Sequence, residues 1–421
     1  MRIKAEWDRL RDVMIHRPGI EIEYAMLAPR PFLFERPFRT DIAIKEHENL
    51  EQTLKENGVS VKLLRNVVVD KARSDSQFRK DLEEKVSTIV KFYGRVESSK
   101  KAMGLFLKNL EIIDPVTLFH ILTLEPSIDL KQEEENSVEY PTVYSNLPLA
   151  NLYFMRDQQA VGPGGPIFGR MKKRQRMKEP EITRFVVEKA IGEKNTYSVG
   201  EGGIFEGGDF IPLGSFGLIG IGPRSNRQGA MEAMSSGLLD FDEIGVVTNP
   251  VYDFMDIPDR DPMVNMHLDT YFNIPGDGIV ISSVELSKKA KLELFTRESK
   301  GSYKHEKETT LYDYMLSKGF RFINLRISEQ LSYSSNFLTL ADRKILAVNA
   351  PDVLDKLLSE NVFTGQLKDL VVSDINKNGK ENLFPNNPQI AREGIDIIRL
   401  NLSELTGGYG GAHCMTAALN R

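Results

Sequence analysis

Gly407-Gly408-Tyr409-Gly410-Gly411-Ala412-His413-Cys414-Met415-Thr416 is a glycine-rich run ending on the only cysteine among 421 residues. Glycine lets a backbone turn sharply or come close to a ligand, so the run reads as a flap that carries a thiol. One cysteine leaves no partner for an intramolecular disulfide and no cysteine-built metal site. Alone, such a thiol reads as a small buried hydrophobe before it reads as a nucleophile. The fold therefore turns on whether the upstream sequence supplies an acid/base group and a charged pocket to go with it.

Three upstream runs supply such groups. Met266-His267-Leu268-Asp269-Thr270-Tyr271-Phe272, taken as a strand, points His267 and Asp269 to one face. Glu201-Gly202-Gly203-Ile204-Phe205-Glu206-Gly207-Gly208-Asp209-Phe210 sets Glu206 and Asp209 three apart around a glycine pair, where two carboxylates could share a cation. Asn151-Leu152-Tyr153-Phe154-Met155-Arg156-Asp157 reads as a strand ending on an arginine and a carboxylate. Each has a plainer reading by itself: a satisfied core histidine, an ordinary turn, solvated loop charges. Together they give one nucleophile, one candidate acid/base and several carboxylates, without the C-x-x-C or H-E-x-x-H spacing of a metal site. That inventory suits a planar cation, because a guanidinium presents its donors in a fixed fork that paired carboxylates hold and orient.

The remaining sequence sets the frame. With 41% hydrophobic residues the chain buries one large core or two modest ones. Its 55 basic and 60 acidic side chains leave a net charge of −5, which offers no basic field to nucleic acid or anionic lipid. The charged N-terminal stretch and the lack of a long apolar run predict a cytoplasmic protein with no membrane partner. Val13-Met14-Ile15 reads as a strand stopped by His16-Arg17-Pro18-Gly19, followed by a helix over 42–57 and a strand over 59–64. From about residue 70 to 135, apolar residues recur every three or four positions (Phe78, Leu82, Val86, Ile89), predicting a small helical bundle inserted into an α/β body. The acidic run Glu133-Glu134-Glu135 reads as its solvated exit. Beyond Asn146, short β-like runs at 198–200, 217–220, 278–282 and 345–348 alternate with helices over 227–239, 309–318 and 352–361. No dinucleotide or P-loop glycine fingerprint is present.

In this order, F-x-R-D, E-G-G-D, H-L-D-T and the glycine-rich H-C-M run resemble the arginine deiminase family of the guanidino-group-modifying superfamily. The likeness extends from the opening Val-Met-Ile-His-Arg-Pro-Gly through the helical insert to Cys414. It implies an α/β fold: a five-fold pseudosymmetric α/β propeller (pentein) of residues 1–69 and 146–421, with an inserted helical domain at 70–145. It also implies a small guanidino substrate, no metal or organic cofactor, and a homo-oligomer, dimer or larger. The activity implied is hydrolysis of L-arginine to L-citrulline and ammonia through a covalent thiouronium on the cysteine.

By the same resemblance Cys414 attacks the guanidinium carbon, and His267 protonates the departing ammonia and then activates water. Asp157 and Asp269 grip the guanidinium, Glu206 orients the histidine, and Asp209 supports. Asn151 and Phe154 match pocket-lining positions. Arg174, within Lys173-Arg174-Gln175-Arg176, and Arg224, within Gly222-Pro223-Arg224-Ser225, match residues that take the substrate carboxylate, although 172–176 also reads as a basic surface run. Tyr409 stands where the family usually carries an arginine, and Ala412 where a further glycine is common. A deiminase of agmatine or another guanidino compound, an amidinotransferase and a non-catalytic guanidino sensor are the alternatives; the sensor would need no nucleophile.

Overall fold

The computed structural model describes residues 1–132, 138–252 and 265–421, so the acidic run at 133–135 lies outside the described residues. One strand rule, a central strand antiparallel to one neighbour and parallel to the other, recurs in five sheets outside residues 70–145 and once more within them, around Pro126–Gln132. Asp12–Ile15 pairs this way with Ala417–Asn420 and Ser60–Leu63. Gly165–Phe168 does so with Gln159–Gly162 and Tyr197–Ser198. Phe216–Ile221 lies between Phe210–Leu213 and Glu243–Thr248. Ile279–Ser282 lies between Phe272–Gly276 and Arg321–Asn324. Lys344–Val348 lies between Leu338–Ala341 and Asp396–Leu400. The third sheet is widened by the hairpin Lys291–Ser299 and Ser302–Thr310.

The sequence accounts for this arrangement locally. A parallel pair needs a crossover, and helices supply it: Thr40–Glu56 in the first unit, Arg227–Ser235 in the third, Ala350–Ser359 in the fifth. With helices against them, the central strands are buried and read as nearly unbroken apolar runs, such as Ile279-Val280-Ile281 and Ile345-Leu346-Ala347-Val348. The helix over 227–235 begins where the Asn226 side chain accepts the Gly229 N–H.

The placement that matters for function lies just before each antiparallel strand. The loops entering Gln159–Gly162, Phe210–Leu213, Phe272–Gly276, Leu338–Ala341 and Ala417–Asn420 carry, in turn, Asp157, Glu206 and Asp209, His267 and Asp269, Asn336, and Cys414. The cysteine reaches the others because the last strand of the chain completes the sheet begun by the first.

Three local expectations differ from the structure. The stretch from 70 to 145 is not purely helical. Beside helices Ser76–Ser87, Val96–Asn109 and Pro115–Leu124 it forms a sheet of Lys91–Tyr93, Pro126–Gln132 and Glu139–Ser145. The Tyr, Val and Thr of that last strand favour an extended chain, which the surrounding charges mask in the sequence. Its apolar residues Phe78, Leu82, Val86 and Phe119 join one core with Met14, Leu152, Met155 and Ala417 of the α/β body. Asn151 to Asp157 forms consecutive buried turns rather than a strand, and Leu268–Thr270 is a single 3-10 turn. Both are short runs in which apolar content reflects burial, not a period of two. No described helix is long and apolar enough to cross a membrane.

Candidate active site

Each site side chain is held by its own loop. Asp157 Oδ2 accepts a hydrogen bond from Arg176 Nη1 at 2.6 Å. Its other oxygen lies 3.7 Å from His267 Nδ1 and has no hydrogen-bond partner among the described residues. Glu206 Oε2 meets His267 Nε2 at 2.9 Å, while Oε1 accepts the backbone N–H of Lys172 at 2.9 Å. Gly208 is needed beside them, since a Cβ there would stand 2.8 Å from His267 Nδ1 and 3.0 Å from Asp157 Oδ1.

The 3-10 turn splays His267 and Asp269 apart instead of setting them side by side as a strand would. His267 faces Glu206 and Asp157; Asp269 faces the flap. Asp269 Oδ2 lies 2.7 Å from His413 Nδ1 and 3.6 Å from Cys414 Sγ. Its Oδ1 is buried without a hydrogen-bond partner among the described residues. Glu206 and Asp209 do not face a common point. Asp209 instead accepts from Leu268 N at 2.9 Å, Asn249 Nδ2 at 2.8 Å and Ser225 Oγ at 2.6 Å, supporting the His267 turn from behind.

The sequence reading missed Asn336. Its Oδ1 accepts the backbone N–H groups of Gly411 at 2.8 Å and Cys414 at 3.0 Å, and its Nδ2 donates to the Asp269 carbonyl at 3.3 Å. One amide thus pins the thiol loop to the loop of Asp269. Ser334-Ser335-Asn336 carries no charge and no recognisable motif; its one signal is its place ahead of a strand, equivalent to that of the other four loops.

The charges set the protonation states. Burial works against a charged His267, but Asp157, Glu206 and Asp209 outweigh it and hold its pKa up at about 9. Burial likewise opposes ionised Glu206, yet Arg224, His267 and Arg176 bring its pKa down to about 2. Cys414 goes the other way: burial, then the Asp269 and Asp157 carboxylates, push the thiol well above its ordinary range. Without a compensating cation the imidazole is protonated and the thiol neutral.

Asn151, Phe154, Arg176, Arg224, Tyr409 and Cys414 wall a space of only about 10 Å³. That holds about one water, so a larger ligand requires some of the lining to shift. Asn151 is fixed through its Nδ2, which donates to Phe32 O at 2.8 Å. Tyr409, in the flap, takes the left-handed conformation at φ 72°. Arg224 is buried, with Nη1 3.8 Å from Glu206 Oε2.

Arg174 is not brought to this site. It is exposed and faces a different cavity, and the cation that enters is Arg176, two residues on. Arg174–Arg176 is one 3-10 turn, and three residues per turn put its first and last side chains on different sides. Arg176 is held by Glu179 through Nε and Nη2 at 2.8–3.2 Å and by Asp157 through Nη1.

Asp157, Glu206 and His267 also offer three ligand atoms within 4.8 Å of one another, the one such group among the described residues. The donor set fits a metal poorly. Arg176 and Arg224 flank the carboxylates, and the imidazole is held protonated, whereas a metal ligand must be neutral.

The sequence profile described as arginine deiminase matches residues 30–421. The chain belongs to the arginine deiminase family. It is thus a hydrolase of the guanidino carbon–nitrogen bond by descent, however far its sequence has diverged. It is 24% identical to the arginine deiminase of Halobacterium salinarum over 99% of its own length and 96% of that protein. Among solved structures, DDAH from Pseudomonas aeruginosa, a mutant complexed with citrulline, aligns with TM-score 0.50 at 13% identity, over 97% of this chain and 98% of that one. SxtG, an amidinotransferase from Microseira wollei, aligns with TM-score 0.52 at 13% identity, over 100% and 97%. At such identities these two show a shared mixed α/β fold and nothing more.

Proposed function

We propose that the chain hydrolyses L-arginine to L-citrulline and ammonia, with Cys414 as nucleophile. The observation that carries this reading is the pair of buried carboxylate oxygens, Asp157 Oδ1 and Asp269 Oδ1, that have no hydrogen-bond partner among the described residues, on the two acids facing the thiol loop and the imidazole. Two such acceptors left without donors are costly unless a ligand supplies them, and a guanidinium supplies several in one plane.

The residues then divide the reaction. A guanidinium between Asp157 and Asp269 brings a positive charge to Cys414, offsets the two carboxylates that raise the thiol, and favours loss of its proton. The thiolate forms a carbon–sulfur bond to the guanidinium carbon. His267, already protonated, gives its proton to the terminal amino group as that carbon–nitrogen bond breaks, releasing ammonia and leaving a thiouronium. Now neutral, His267 takes a proton from water as the oxygen adds to the same carbon; the carbon–sulfur bond then breaks as the hydroxyl proton passes to the departing sulfur, restoring the thiol, and citrulline leaves. Glu206 and Asp209 hold the imidazole in place, and Arg176 holds Asp157. Arg224, Asn151 and Phe154 line the same space as Cys414, which supports giving them the rest of the substrate, with the Arg224 guanidinium taking the carboxylate.

The same reading extends to architecture: the five units close into a pseudosymmetric propeller around this site, and residues 70–145 form an insertion between its first and second units. It supports a metal-independent enzyme acting in the cytoplasm as a homo-oligomer.

Purified protein supplied in parallel with arginine and agmatine, without added metal, tests the function. Ammonia and citrulline should form from arginine, with agmatine much slower. Preference for agmatine would overturn the role of Arg224, and no ureido product from either would overturn the hydrolase.

A further inference from the structure

A cavity far larger than the thiol site lies elsewhere in the molecule. About 990 Å³ in volume, it opens where the 70–145 segment meets residues 168–184. Phe168 and Leu149 contribute apolar wall, and Lys91, Arg170, Arg174, Lys178 and Arg184 line it against only two acidic side chains. An excess of three positive charges thus collects in one concavity of a chain whose net charge is −5. Lys178 is paired with Glu125 at 2.6 Å, and Arg184 with Glu188 at 3.0 Å. Among the described residues Lys91, Arg170 and Arg174 have no carboxylate within ion-pair distance, and Arg170 is half-buried.

The backbone keeps this cavity apart from the thiol site while drawing on the same segment. Arg170 and Arg174 point into it. Between and after them, the Lys172 N–H binds Glu206 and Arg176 binds Asp157 on the other side. Gln175 Nε2 donates to Pro31 O at 2.7 Å, tying the turn to a segment whose Pro31 and Phe32 line this cavity and whose Leu33 lines the thiol site.

We propose that this cavity is a second binding site, for a small polyanion, either a phosphorylated or a polycarboxylate compound. Its volume suits a ligand of several hundred cubic ångströms. Arginine forks recognise phosphate and carboxylate through paired hydrogen bonds, and converging cations with low-dielectric walls concentrate anions.

The test is isothermal titration of the whole chain with inorganic pyrophosphate and, separately, citrate, in the presence of saturating citrulline so that the thiol site is filled. One anion per chain should bind, more weakly as salt rises. Pyrophosphate binding identifies the phosphorylated class, citrate binding the polycarboxylate class. Arg174→Ala, an exposed change with little to disturb in the fold, should weaken binding about tenfold, the order of one charge-assisted contact. The double variant Arg170→Lys/Arg174→Lys keeps the charge but loses the forks, and should bind more weakly than the parent with the same fall in affinity as salt rises. No binding of either anion, binding abolished by citrulline, or equal affinity in Arg174→Ala would each overturn the site.

Discussion

Replacing Asn336 by alanine removes the acceptor shared by the Gly411 and Cys414 N–H groups, at 2.8 and 3.0 Å. Both donors are buried, and each left unpaired costs about 1–3 kcal/mol, so the variant should lose about 2–6 kcal/mol of stability. Unfolding entropy of roughly 2.1 cal/mol/K per residue over 421 residues converts this to a fall in Tm of about 2–7 °C. Activity should suffer more, because the thiol loop loses its anchor and a displacement of ~1 Å in a reacting group costs about a hundredfold in kcat. Asn336→Asp separates the two effects. It keeps an oxygen for both N–H groups, so the loop stays in place, but it adds a third carboxylate near Cys414 and drives the thiol pKa further up. Citrulline formation and thermal melting measured together check this: Asn336→Ala with kcat within about threefold of the parent, whatever its Tm, would refute the anchoring role, since ~1 Å matters a hundredfold.

Three further predictions follow from the geometry. Arg224→Ala should raise KM for arginine strongly and leave agmatine turnover nearly unchanged, whereas Arg174→Ala should alter neither; steady-state kinetics on both substrates decide it, and equal losses for both would remove Arg224 from carboxylate recognition. His267, with its pKa raised from 6.5 to about 9, contributes about 3 kcal/mol that is fully present below pH 6.5 and lost as pH rises through 9. Melting curves should therefore show this alkaline loss in the parent but not in His267→Gln, and parallel curves would count against a protonated imidazole. Because burial and two carboxylates raise the Cys414 thiol, inactivation of the free protein by iodoacetamide should be slow at neutral pH and keep accelerating well into the alkaline range; fast inactivation at pH 7 would mean that the thiolate forms without substrate.

What the sequence disclosed follows the range of each physical signal. Central strands such as 279–282 and 344–348 were legible because burial on both faces writes an apolar run directly into the sequence. The chemistry-bearing side chains were legible as types: a lone thiol, an imidazole and acids in glycine-rich turns. Their geometry was not. Nothing local to Met266–Phe272 distinguishes a strand from a 3-10 turn, because Asp209 fixes that turn from 59 residues away through the Leu268 N–H. Likewise Arg174 and Arg176 are equivalent on paper, and only the partners Glu179 and Asp157 draw the second inward. Asn336 had no chemical signature at all, since its work is to accept backbone N–H groups from a loop 75 and 78 residues further on.

Hydrolysis of arginine in water enriched in oxygen-18 tests the central claim most directly, with the product analysed by mass spectrometry. The account predicts citrulline carrying one heavy oxygen on its ureido carbon and one ammonia for each citrulline, with both lost in Cys414→Ala. Unlabelled citrulline, release of ornithine only when an amine acceptor is present, or undiminished turnover in Cys414→Ala would contradict it.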